Sequence, residues 1–329
     1  SNCRNERTYF KIMSVNTKLN KKQKIAVSIG DINGVGIEIA LRSHKKVKKL
    51  CKPIYCINES MLSKAAKKLN LKIPTDFKTF NTKGDFKIKE GQVSKKSGQF
   101  SFDSFTDAIK LTKQNKTKAL VTLPINKEAW NKANIHYKGH TEVLRDYFDK
   151  NAIMMLGCSK MFVALYTEHI ALKEVPAKIK SKALTEFLLD FHKCINPVSK
   201  VAVLGLNPHA SDNGVLGNEE KEIIKAIKKA NKTHNSFSGP HVPDTIFSKT
   251  NRNQYTYFIA MYHDQGLAPL KALYFDESIN VSLNLPIIRT SVDHGTAFDI
   301  AYKKRNKVSL NNTSYMNAIK QALLLSSEQ

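Results

Sequence analysis

Long apolar runs are missing from this chain. None approaches the roughly 20 residues needed to cross a bilayer, so no membrane span is expected. No apolar stretch precedes Lys24 either, so no secretory leader is read and a cytoplasmic setting is expected. Cysteine is scarce and shows no pairing pattern. The five (Cys3, Cys51, Cys56, Cys158 and Cys194) are odd in number and form no C-x-x-C, which fits reduced thiols better than a disulfide framework. Internal repeats and low-complexity segments are absent. No G-x-G-x-x-G occurs, nor the lysine of a P-loop, so a familiar nucleotide fingerprint is not supported.

Acidic residues are also few, 28 against 53 lysines and arginines, for a net charge of +25. Such a balance first suggests nucleic acid. The lysines argue against it, because they spread over helix faces (HKKVKK, KEIIKAIKKANK) rather than alternating with aromatics. Solvated lysine-rich faces are one reading; a positive field that draws in anionic substrates and cofactors is another.

What is present is a βα alternation over most of 329 residues, enough for one large α/β domain or two lobes. The opening 1–23 reads as a disordered or tag-derived extension, with Met13 a possible alternative start, and 24–329 as a single two-lobed unit. Strands are expected at 24–30, 53–58, 119–123, 152–156, 162–167, 201–206, 257–262 and 281–283. Helices are expected at 37–49, 61–69, 102–114, 125–131, 142–148, 177–194, 219–230, 296–303 and 314–325. The polar segment 70–99 breaks the alternation and reads as an antiparallel edge element or a linker. The fold expected is α/β, with a mostly parallel, doubly wound sheet.

Three strand-like runs each lead to a histidine: FVALYTEH to His169, VAVLGLNPH to His209 and YFIAMYH to His263. In open α/β sheets ligands bind beyond the carboxyl ends of the strands. Three imidazoles delivered to one edge can hold a divalent metal and leave a position open for chemistry. Any one of them alone is more simply a satisfied core or surface group. Asp264 and Gln265, next to His263, are placed to orient an imidazole through its second nitrogen.

Other motifs carry weaker signals. IGDINGVGIEIA (29–40) is a tight strand-to-helix turn. VTLPINKEAW (121–130) leads into a helix capped by Asn126. KGHTEVL puts His140 and Thr141 at a helix start, which suits a phosphate or carboxylate, or equally an N-cap threonine beside a surface histidine. Lys271, Asn280 and Arg289 follow the last histidine of the trio. Arg289 interrupts an apolar stretch, where its guanidinium needs a partner such as a carboxylate or phosphate.

Taken together, IGDINGVGIEI, VTLPINKEA, GHTEVL, GLNPHASDNGVLGNEE, GPHVPDTIF, AMYHDQGLAPLKAL and NVSLNLPIIRTSVDHGTAFDIA resemble the 4-hydroxythreonine-4-phosphate dehydrogenases of vitamin B6 biosynthesis, in order from about Lys24 to Ala301. The resemblance implies an isocitrate/isopropylmalate dehydrogenase-like fold of two lobes, with the active site in the cleft, and a homodimer sharing that site between subunits. It implies a metal held by His169, His209 and His263, most simply zinc, with cobalt or magnesium as alternatives. It implies substrate contacts from His140, Thr141, Lys271, Asn280 and Arg289. DHGTAFDIA is similar to the H-G-[ST]-A-x-x-x-A loop of isopropylmalate dehydrogenases, which implies NAD (or NADP) near His294, Gly295, Thr296, Ala297 and Asp299. The cofactor choice stays open, since Lys303, Lys304 and Arg305 lie close in sequence to that loop.

The implied reaction is NAD-dependent oxidation of 4-phosphooxy-L-threonine to 2-amino-3-oxo-4-phosphooxybutanoate, which decarboxylates to 3-amino-2-oxopropyl phosphate. No nucleic acid or membrane partner is implied. A relative acting on another phosphorylated hydroxy acid, such as a phospho-sugar acid, is the alternative. Some positions depart from the family pattern: Ile32 and Ile37 stand where proline is usual, and Ser211 and Asn284 where glycine is usual.

Overall fold

The structure is a computed structural model and describes residues 22–303 and 310–327. The expected extension (1–23) therefore falls almost wholly outside the described residues, as do Cys3, Lys304 and Arg305. In chain order the elements begin β1 (Lys24–Ser28), α1 (Gly36–Leu50), β2 (Lys52–Cys56), α2 (Glu59–Leu69), β3 (Thr79–Phe80), α3 (Lys95–Lys113), β4 (Ala119–Thr122) and α4 (Lys127–Lys132). They continue with α5 (His140–Phe148), β5 (Ile153–Cys158), β6 (Met161–Leu165), α6 (Val175–Lys178), α7 (Ser181–Ile195), β7 (Val201–Leu204) and α8 (Glu219–Thr233). The last are β8 (Phe237–His241), α9 (Lys249–Arg252), β9 (Tyr257–Ala260), α10 (His263–Tyr274), β10 (Ile279–Leu283), β11 (Arg289–Val292) and α11 (Thr313–Ser327).

The chain divides into two compact units, Ser1–Gly139 with Ile287–Gln329, and His140–Pro286. In the first, the strands run in the order β3-β2-β1-β4-β11 and every pair is parallel. Strands so placed are apolar throughout: Ile25, Ala26, Val27, Leu120 and Val121 are fully buried. Helix α3 packs on β1, β2 and β4, while α11 packs on β4 and β11 and against α1.

In the second unit the order is β10-β5-β6-β9-β7-β8. Here β10–β5 and β5–β6 are antiparallel, and β6–β9, β9–β7 and β7–β8 are parallel. Met161, Val163, Ala202, Phe258, Ala260 and Leu270 build its core. Burying each large apolar side chain of this kind contributes about 1.5–3 kcal/mol.

The α/β class and the mostly parallel pairing agree with expectation. Several local expectations are corrected. Helix α3 starts at Lys95, not 102, because Ser94 accepts from the Ser97 amide and caps it. The helix expected over 177–194 is two, α6 and α7, interrupted at Ile179, whose ψ of 89° is not helical. Residues 296–303 form no helix; Ala297 and Tyr302 take φ of 45° and 60°, which a right-handed helix cannot include. Segment 70–99 is neither antiparallel nor a free linker. It contributes β3, parallel to β2, and is tied down where Asn58 Nδ2 donates to the Thr82 and Gly84 carbonyls. Lys64–Asp85 and Lys68–Glu90 ion pairs fasten it further to α2.

Cys51, Cys56, Cys158 and Cys194 are free thiols. Burial pushes the Cys51 thiol up to about 12, so it is packed rather than reactive.

Candidate active site

Strands β6, β9 and β7 are parallel neighbours, so their carboxyl ends emerge side by side at one edge of the second unit. Side chains fix those ends. Thr167 Oγ1, beyond β6, donates to the Met261 carbonyl at 2.6 Å. Gln265 Oε1 accepts from the Met261 amide at 2.7 Å, and its Nε2 donates to the Gly205 carbonyl beyond β7, also at 2.7 Å. Gln265 is buried and serves the backbone of two strands; it does not orient an imidazole as expected. Asp264 does, accepting from His263 Nδ1 at 2.6 Å and leaving Nε2 for another partner.

The histidines follow these ends directly. His263 is the first residue of α10, and its ring lies 5.4 Å from that of His169, centroid to centroid, tilted by 44°. His209 sits in a left-handed turn over Pro208–Gly214, in which His209, Ala210, Ser211, Asp212 and Asn213 all take positive φ. Left-handed backbone costs roughly 1–2 kcal/mol per non-glycine residue, so something must hold it. Glu220, buried at the start of α8, accepts from the Leu206 and Asn207 amides at 2.8 and 2.7 Å. Asn207 Nδ2 in turn donates to Glu219 and Glu220.

Among the described residues no three histidine, cysteine, aspartate or glutamate side chains stand together as a cation-holding group. The chain thus brings His169 and His263 together and does not gather His209 with them. The donors nonetheless suit a divalent transition ion: imidazole nitrogens, one ring anchored by a carboxylate on its far nitrogen.

His140 and Thr141 open α5 and are buried. Asn280, on β10, has an Oδ1 that is buried and accepts no hydrogen bond among the described residues. An orphaned acceptor of this kind suits a ligand donor. Lys271, on α10, places its ammonium 5.3 Å from the centre of the Phe275 ring.

Arg289 belongs to the first unit, on β11, and is 2 % exposed. It donates from Nε and Nη2 to Thr122 Oγ1 at 3.2 and 2.8 Å. Burial lowers its pKa to about 9, which still leaves it charged at neutral pH. The sequence reading treats the stretch around it as apolar and misses the strand, because a buried cation is a poor strand signal.

The other predicted residues of the first unit form an irregular wall. The Thr296 carbonyl accepts from the Val35 amide at 3.0 Å, and a Cβ on Gly34 would stand 2.7 Å from that oxygen. A Cβ on Gly91 would come within 2.4 Å of the Phe298 carbonyl oxygen. Glycine in the first loop and at 91 therefore lets three backbone segments close up. Asn33 joins two of them, its Nδ2 donating to the Gln92 carbonyl and its Oδ1 accepting from the Lys89 amide. Tyr302 donates to the Ile32 carbonyl at 2.6 Å.

Beside this wall lies a cleft of about 510 Å³, lined by Glu90 and Gln92 and by Phe298, Asp299 and Tyr302. Ala297 borders the same wall with a left-handed φ. Gly295 has open space around it, and the His294 Nε2 is buried without a hydrogen-bond partner among the described residues. These features fit a dinucleotide half lying along the loop. The contributions of Gly91 and Glu90 escape sequence reading, since segment 70–99 has no periodicity; only its position after α2 hints at a wall.

Residues 49–322 match the family described as "Pyridoxal phosphate biosynthetic protein PdxA". The chain is 61% identical to a 4-hydroxythreonine-4-phosphate dehydrogenase of Sulfurimonas denitrificans, covering 92% of this chain and 98% of that protein. It is 58% identical to one of Campylobacter fetus, over 92% and 98%. A crystal structure of a 4-hydroxythreonine-4-phosphate dehydrogenase from Klebsiella pneumoniae superposes with a TM-score of 0.80 at 28% identity, covering 94% of this chain and 99% of that one.

Proposed function

The chain belongs to the pyridoxal phosphate biosynthetic protein PdxA family, and from that premise we propose how its residues divide the work. It is an enzyme, a dehydrogenase of 4-hydroxythreonine-4-phosphate. The reaction oxidises the 3-hydroxyl of the substrate to a ketone. The carboxylate then lies one carbon from that ketone and leaves as carbon dioxide; its bonding pair passes into an enolate, and C2 takes up a proton to give 3-amino-2-oxopropyl phosphate.

His169, His209 and His263 would hold a divalent metal, most simply zinc, with cobalt or magnesium able to replace it. When bound, the metal supplies Lewis acidity toward the substrate hydroxyl, and NAD or NADP supplies the hydride acceptor. Asp264 fixes the tautomer and angle of His263. His140 and Thr141, at the start of α5, would contact the substrate together with Asn280. Lys271 and Arg289 would neutralise its phosphate and carboxylate. Asn280 Oδ1 is a natural acceptor for a substrate N–H, because it is buried and accepts from none of the described residues. His294, Gly295, Thr296, Ala297 and Asp299 would line the dinucleotide.

The observation that carries this reading is the adjacency of β6, β9 and β7, which sends three histidine-bearing loops to one edge. A homodimer sharing its site is part of the proposal. Leu172 and Val215, in the segments that follow β6 and β7, are 65% and 77% exposed, an apolar surface that a second copy would cover. A cytoplasmic location is proposed on the free thiols.

The test is His209→Ala. Metal content by elemental analysis should fall, and NADH formation on 4-hydroxythreonine-4-phosphate should drop by at least about 100-fold. Full metal content with an unchanged rate would refute the histidine assignment.

A further inference from the structure

Within the second unit, Thr141 and His169 sit on different elements, and one ion pair joins those elements. Arg145 follows Thr141 by four residues on α5, so the two share a side of the helix. Its Nη2 donates to the carbonyl of Ala152, the residue before β5, at 2.8 Å, and to Glu168 Oε1 at 2.5 Å. Glu168 immediately precedes His169. Since β5 and β6 pair antiparallel, Ala152 and Glu168 lie at the open end of that hairpin. Arg145 closes the end and fastens α5 to it. The Arg145 and Glu168 side chains keep only 30% and 13% of their exposure, unlike the lysine pairs scattered over the surface. A charge-assisted bond withdrawn from water fixes geometry in a way an exposed pair does not.

We propose that Arg145 and Glu168 are positioning residues whose ion pair sets His169 relative to Thr141. The proposal rests on the reading of those two as metal and substrate contacts. It adds a specific linkage: displacement of either partner moves the imidazole away from the hydroxyl-bearing helix start. Neither residue is asked to touch substrate or metal.

The experiment uses the full chain as wild type, Arg145→Ala, Glu168→Ala, the double variant and the conservative Arg145→Lys. Each is titrated with Co²⁺, followed by visible absorption, and each is assayed for KM and kcat with 4-hydroxythreonine-4-phosphate. Each alanine variant should weaken Co²⁺ binding and raise KM by about tenfold. The double variant should be no worse than either single, and Arg145→Lys should recover part of both. Single variants that stay within about twofold of wild type, or effects that multiply in the double, overturn the proposal. So does a fall in kcat and thermal midpoint with KM and Co²⁺ affinity unmoved, which marks a merely structural pair. If wild type takes up no Co²⁺, the metal reading fails by itself. The KM cycle then decides the pair: non-additive effects uphold it and additive ones overturn it.

Discussion

Asp31 is a carboxylate held in the interior, bonded to Asn33 and Ser97 and to no cation among the described residues. Its Oδ1 accepts from the Asn33 amide at 3.0 Å, and its Oδ2 lies 3.1 Å from Ser97 Oγ. Burial outweighs both bonds and raises its pKa from 3.8 to about 6. When protonated, Asp31 donates to Ser97, whose own hydrogen then goes to the Ser94 carbonyl, 3.1 Å away. Between pH 3.8 and about 6 the folded state keeps a proton that the unfolded chain has lost, so stability falls as pH rises through that window. Above it the cost, roughly 3 kcal/mol, is fully in place. Asn at position 31 copies the protonated form. Asp31→Asn should therefore gain about 2–3 kcal/mol on wild type between pH 4 and 7, read from urea midpoints at each pH. Parallel pH curves for the two proteins would contradict this.

Ser211 and Asn284 have φ of 70° and 60°. Asparagine tolerates such backbone through local hydrogen bonding, whereas serine does so at greater cost.

Among the elements, the ends of β7 and β9 are bridged by one side chain, that of Gln265. Gln265→Leu keeps the volume but leaves the Met261 amide and Gly205 carbonyl without their partner. The expected loss is about 2–4 kcal/mol in chemical denaturation, accompanied by weaker metal binding, since His263 and the His209 turn flank those groups. A loss below about 1 kcal/mol would show that neither bond matters.

Much of this level is legible in the sequence. The strands leading to His169, His209 and His263 announce themselves by apolar runs, and their parallel pairing follows from the alternation with helices. Other elements are hidden by their own chemistry. Helix α10 contains Gly266 and Pro269, both helix-weakening. β8 carries Gly239 and Pro240, tolerable because it is an edge strand. β11 begins with buried Arg289. The left-handed turn at Pro208–Gly214 has no sequence signal beyond Asn213 and Gly214, since Ala210 gives no hint of positive φ. At the site, residue types and order are readable, but not that Gln265 serves backbone or that Arg145 meets Glu168. Gln265 meets Gly205 across 60 positions of the chain and Arg145 meets Glu168 across 23.

For the whole molecule, a net charge of +25 would raise the local concentration of a phosphorylated substrate. kcat/KM should fall several-fold as salt rises from about 20 to 200 mM, and a neutral osmolyte should have no such effect. A flat salt profile would show that the lysines only solvate the surface.

The division into units has another consequence. His140–Pro286 is continuous, whereas the parallel array β3-β2-β1-β4-β11 takes its last strand from beyond it. On the ribosome, β4 waits for its neighbour until the whole intervening unit has been made. The middle of the chain can thus complete its fold before the beginning does, leaving one flank of an all-parallel array open throughout synthesis.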